Sequence, residues 1–77
     1  MFTGTDMKFT IGRNADNNFI IDNDTVSGNH AEIIVSDDFK NFTLVDLEST
    51  NGTYVNEIDI VSKKITAKDV IRFGSHR

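Results

Sequence analysis

The chain has 77 residues, enough for one domain that buries only about 60% of its unfolded surface on folding. It contains no cysteine, which excludes a disulfide framework or a thiolate metal site and fits a reducing cytoplasm. A net charge of −4 argues against both a nucleic-acid surface, which needs a basic stripe, and a face for anionic membrane. Residues 1–10 hold no continuous apolar run and read as neither signal peptide nor membrane span.

Apolar and polar residues alternate along the chain, and no stretch sustains a helical period. Lys8-Phe9-Thr10-Ile11 predicts a strand with Phe9 and Ile11 on one face, followed by a turn-rich loop from Gly12 to Asn18. Phe19-Ile20-Ile21 is a short apolar strand that runs into the polar bend Asp22-Asn23-Asp24-Thr25. Residues 31–35 predict a strand with Ala31, Ile33 and Val35 on one face and Glu32 on the other. Residues 36–41 connect it to a strand over Phe42-Thr43-Leu44-Val45-Asp46-Leu47. After a turn at 49–52 comes Thr53-Tyr54-Val55, and Asn56-Glu57 then turns the chain into a strand over 58–61. The last strand, Val70-Ile71-Arg72-Phe73, ends at Gly74. With no proline in the chain, the turns rest on Gly, Asn, Asp and Ser. Many short strands separated by turn signals predict an all-β sandwich or barrel.

Three polar clusters fall where strand patterns stop: Gly12-Arg13, Ser27-Gly28-Asn29-His30 and Ser49-Thr50-Asn51-Gly52. Loops on a rigid β-scaffold are where binding groups gather. Arg13 offers a planar, permanently charged fork of donors, and Ser27, Thr50 and Asn51 offer neutral ones. Brought together, they would cradle a doubly charged oxyanion such as a phosphate. Taken singly, each has a plainer reading: an exposed turn arginine, a serine bonded to its own backbone, an ordinary turn threonine, an asparagine before a turn glycine.

The ordered set of Gly-Arg, Ser-x-x-His and Ser-Thr-Asn-Gly, with Asn56 after a Tyr-Val strand, resembles the forkhead-associated (FHA) domain. The resemblance runs from Lys8 to Gly74 and implies a single FHA domain over residues 1–77, a β-sandwich of short antiparallel strands that binds phosphothreonine peptides. By that likeness Arg13, Ser27 and Thr50 would bind the phosphate, and Asn51 would hold the peptide main chain. Gly12, His30, Gly52 and Asn56 would be structural supports, with His30 near the sandwich edge and locking the Ser27 and Thr50 loops from behind. The expected partner is a phosphothreonine-containing protein in cytoplasmic signalling, with no cofactor, metal, nucleic acid or membrane. The chain departs from the family at Gly28, where a basic residue is frequent, so Arg13 is the one matched cation. Glu57 and Lys68 stand where glycines are common. The resemblance also implies a further apolar strand after Gly74 beside the first strand. Residues 75–77 do not supply it, so the sandwich is expected to lack its C-terminal strand, with an open edge near Phe9 and Ile11 and a homodimer through it.

Other classes fit less well. Ser27 and His30 as nucleophile and base are three residues apart across a strand start, and no Gly-x-Ser-x-Gly elbow is present, so no catalytic residue is expected. Asp22-x-Asp24 lacks the oxygen ligand and glycine that a calcium loop needs next. The remaining alternative is a protein-interaction or self-association domain that keeps the sandwich but ignores phosphate.

Overall fold

The computed structural model describes residues 7–75. They form eight strands: β1 (Met7–Gly12), β2 (Phe19–Ile20), β3 (Ala31–Val35), β4 (Phe42–Asp46), β5 (Thr53–Val55), β6 (Ile58–Ile60), β7 (Ser62–Ile65) and β8 (Ile71–Phe73). The strands make two sheets, ordered β2-β1-β3-β4-β7 and β6-β5-β8. This is an all-β sandwich, one of the two forms that the alternation allows and the one that the resemblance implies. All neighbours pair antiparallel except β1 and β2, which run parallel over two residues.

The β3–β4 pair is the centre of the larger sheet, with Ala31 opposite Asp46, Ile33 opposite Leu44 and Val35 opposite Phe42. Because side chains alternate, Ala31, Ile33 and Leu44 share one face. Ala31, Leu44 and Val55 form the buried core, with Ile33, Ile60, Ile65, Ile71 and Phe73 packed against it from both sheets. Fully burying a side chain such as Leu44 contributes roughly 1.5–3 kcal/mol.

Two features differ from the sequence expectation. The strand over 58–61 ends at Ile60, and a second strand, β7, follows it and pairs with β4. Ser62-Lys63-Lys64-Ile65 carries one apolar residue and no alternation, so it has no strand signal of its own; its pairing with Phe42–Val45 makes it a strand. Its lysines suit an edge position, because their charge opposes pairing with a further chain.

The open edge expected near Phe9 and Ile11 is covered by β2 at Ile11 and Gly12, while the two-residue β2 does not extend to Phe9. β1 lies between β2 and β3, and beside β2 the Asn18 Oδ1 accepts from Thr10 N at 2.8 Å. By strand order the edges are β2 and β7 in the larger sheet and β6 and β8 in the smaller one; β8 has β5 as its one strand partner among the described residues. Asn56 N donates to Val70 O and Gly74 N to Gly52 O, so alternation directs the backbone groups of Arg72 toward β5. Those of Ile71 and Phe73 face the open side.

The β5–β6 hairpin turns on Asn56 and Glu57, both in the left-handed region at φ 54° and 67°. This is the backbone of a two-residue hairpin whose twist matches that of its strands. Asn56 also ties this turn to the start of β8: Val70 N donates to its Oδ1 and its Nδ2 donates to Asp69, both at 3.0 Å.

Candidate functional site

The β1–β2, β2–β3 and β4–β5 loops meet at one end of the sandwich through backbone hydrogen bonds. Arg13 N donates to Ser27 O at 3.0 Å and Asn14 N to Gly28 O at 3.1 Å, so the first two loops are zipped together. Asn17, nearly buried, reinforces the junction, with Nδ2 donating to Asn14 O and to Gly28 O at 3.0 and 2.7 Å. The approach is so close that a Cβ on Gly12 would lie 2.2 Å from the Gly28 carbonyl oxygen, which is backbone and cannot step aside. Glycine before Arg13 is therefore a requirement of loop packing.

The third loop joins through Ser27. Its Oγ accepts from Thr50 N at 3.0 Å, which leaves the hydroxyl hydrogen free to donate elsewhere. Arg13, Ser27 and Thr50 thus converge on one surface. The Thr50 hydroxyl is exposed and has no partner within the described residues. The Arg13 side chain is 48% exposed, with one guanidinium nitrogen 3.7 Å from the fully exposed Asp24 carboxylate. Asn51 reaches the same loops by a different bond, Nδ2 to Thr25 O at 2.9 Å, and keeps its carbonyl oxygen and a second N–H for another chain.

His30 lies at the loop end of the sandwich, beneath the site loops. It is wholly buried, just before β3, because both of its ring nitrogens bridge loops. Ser27 N donates to Nδ1 at 3.0 Å, so Nδ1 is an acceptor; Nε2 lies 2.8 Å from Gly52 O and must carry the hydrogen. The neutral Nε2–H tautomer follows. The ring also stands edge-on to Phe73 at 5.6 Å, tying the loops to β8. Gly52 takes φ +85°, where a Cβ would press on the Tyr54 ring, so its carbonyl reaches His30 in a conformation that favours glycine. Ser27 Oγ bonds to Thr50 N and the imidazole to Ser27 N, so no hydroxyl–imidazole bond of a nucleophile and its base is present.

Four supporting residues were not legible in the sequence. Asp46 accepts from Ser49 Oγ and Thr53 Oγ1 and so shapes the start of the Thr50 loop. Burial pushes its carboxyl up and is the largest single influence, but the Ser49 and Thr53 hydrogen bonds together hold it below the ordinary value. Thr25 gives its carbonyl to Asn51 and, through Oγ1, accepts from Ser75 N. Tyr54 donates its hydroxyl to Asn51 O at 3.1 Å while Arg72 stacks on its ring, and Asn17 is the junction described above. One signal was available: the Asp46-x-x-Ser49 spacing is that of a side chain-to-backbone turn.

Comparison with known proteins identifies the family. The FHA-domain family matches over residues 9–74. The chain belongs to the FHA-domain family. It is 36% identical over 66 residues to the glycogen accumulation regulator GarA of Mycobacterium tuberculosis, covering 86% of this chain and 40% of that protein. It therefore spans less than half of that relative. Among solved structures, the FhaA FHA domain, complexed with an intracellular domain, superposes with a TM-score of 0.84 at 34% identity, covering 96% of this chain and 79% of the other. The N-terminal FHA domain of S. cerevisiae Rad53p, in complex with a phosphothreonine peptide, gives 0.76 at 25% identity, over 91% and 59%.

Proposed function

We propose that this chain is a single, non-catalytic module that recognises phosphothreonine on a partner protein. The observation that carries the reading is the convergence of Arg13, Ser27 and Thr50 through the Arg13 N–Ser27 O and Thr50 N–Ser27 Oγ bonds. Arg13 supplies charge-assisted hydrogen bonds to the phosphate oxygens, and the hydroxyls of Ser27 and Thr50 donate to the same group. Asn51 engages the peptide main chain beside the phosphorylated residue. Gly12, His30, Gly52 and Asn56 keep the loops in register without touching the ligand. The Rad53p complex with a phosphothreonine peptide supports the ligand, and the likeness to GarA, a regulator, supports a regulatory role. No helix among the described residues is long and apolar enough to cross a membrane. A chain with no cysteine fits a reducing, cytoplasmic setting.

Charge-assisted hydrogen bonds net roughly 1.5–3 kcal/mol each, and a micromolar complex needs about 8 kcal/mol. After the cost of ordering the peptide, micromolar affinity is the expected ceiling. Calorimetry with a phosphothreonine peptide library, its unphosphorylated twin and an Arg13→Ala variant tests the reading. Binding of the phosphorylated form alone, lost in Arg13→Ala, is the expected result. Equal binding of both forms would instead favour a phosphate-independent interaction domain.

A further inference from the structure

The charge of this molecule is unevenly placed. The three loops that build the site, residues 13–18, 21–30 and 47–52, hold one cation, Arg13, against Asp16, Asp22, Asp24 and Glu48. Three of the chain's four net negative charges therefore sit at the end that is to receive a dianion. The other cations of the described residues lie on other elements. Lys8 is on β1 beside Glu32, Lys40 is in the β3–β4 loop, and Lys63 and Lys64 are on β7. Lys68 precedes β8, and Arg72 on β8 holds Glu57 at 2.9 Å. Charges farther away than about 8–10 Å are largely screened, so the local acids dominate what a peptide meets.

One of these acids touches the phosphate-binding group itself. The Asp24 carboxylate lies 3.7 Å from the Arg13 guanidinium, and both side chains are open to solvent. An arriving phosphate must share Arg13 with that carboxylate or replace it. From this we propose that Asp24, with the acidic loops around it, makes the site selective for phosphothreonine peptides with basic flanking residues. The proposal rests on the phosphothreonine reading above and names the class of peptide that the site takes. A flanking lysine or arginine completes an exchange of partners: Arg13 turns to the phosphate while the peptide cation takes over Asp24. A flanking glutamate or aspartate leaves Asp24 beside two anions with no cation to share. Gly28 strengthens the effect, because it offers no cation beside the site serine.

The test uses three peptides with the same central phosphothreonine and basic, neutral or acidic flanks, titrated by calorimetry at low and high salt. Wild type, Asp24→Asn and Arg13→Ala are compared. Exposed ion pairs change affinity by a few-fold each, so wild type should prefer basic over acidic flanks by about tenfold at low salt. Raising the salt should compress that ratio. Asp24→Asn should reduce it to about threefold and bind the neutral-flanked peptide roughly two- to fivefold more tightly. Equal affinity for all three phosphopeptides in wild type, or a flank preference unchanged in Asp24→Asn, would overturn the proposal while leaving phosphate recognition standing. Failure of wild type to bind any of the three would overturn the phosphothreonine reading and this proposal with it.

Discussion

Replacement of His30 separates support of the site from direct contact with ligand. In His30→Ala, Ser27 N loses its acceptor and Gly52 O its donor, both at loop junctions beneath the surface. Ser27 N is left unsatisfied, at a cost of about 1–3 kcal/mol, whereas Gly52 O still accepts from Gly74 N and loses only one net hydrogen bond, about 0.5–1.5 kcal/mol. The edge-on contact with Phe73 adds about 0.5–1.5 kcal/mol. A loss of roughly 2–6 kcal/mol is expected, against a total stability of about 4–12 kcal/mol for a domain this size. Each kcal/mol corresponds to about 4–8 °C in a small domain, so the melting temperature should fall by at least ~8 °C. Thermal melts followed by circular dichroism, with phosphopeptide titration at a temperature where both proteins are folded, supply the assay. Binding should weaken together with stability, because Ser27 and the Thr50 loop lose their common anchor. His30→Gln, which keeps one donor and one acceptor, should recover part of the stability. Arg13→Ala is the contrast: its side chain is half exposed, and an effect within about 0.5 kcal/mol on stability is expected, with binding lost. A His30→Ala protein that melts like wild type would refute this account of the imidazole, whatever happened to binding.

Asp46 should make the Thr50 loop sensitive to acid. Its carboxyl is held below the ordinary value of 3.8, so the stability it adds is fully present above that pH and is lost as pH falls through the lower folded-state value. Asp46→Asn should therefore melt below wild type near pH 6, and the gap should close in melts recorded below pH 3.8; a gap independent of pH would contradict the assignment. The edge at β8, where the outward backbone of Ile71 and Phe73 has no strand partner among the described residues, should draw a second copy, so the 77-residue chain should self-associate in sedimentation across a concentration series. A well-folded monomer at every concentration would rule this out. Matched phosphothreonine and phosphoserine peptides should differ in favour of threonine by about fourfold, the transfer value of one methyl near 0.8 kcal/mol. A tie would count against a methyl contact at the site.

Alternation in the sequence was enough to locate most of the strands, because a half-buried strand writes its burial directly into every second residue. Ala31, Ile33 and Leu44 are inward for that local reason, and β3 falls on the residues that the pattern marks. The three loop clusters were legible too, since Gly, Asn, Ser and Arg stand where the strand pattern stops. Tertiary structure alone decided the rest. β7 is a strand because β4 offers it a partner, not because Ser-Lys-Lys-Ile prefers one. β1 has β2 and β3 as neighbours and β8 stands at an edge because strand order is set by which sheet each strand joins, and alternation is blind to that choice. His30 is buried, and Asn17 and Thr25 brace the site, through hydrogen bonds that form only when loops distant in sequence meet, while Asp46 and Tyr54 bond within the β4–β5 region itself. A residue's type advertises what it can bond; its partner is chosen by the fold.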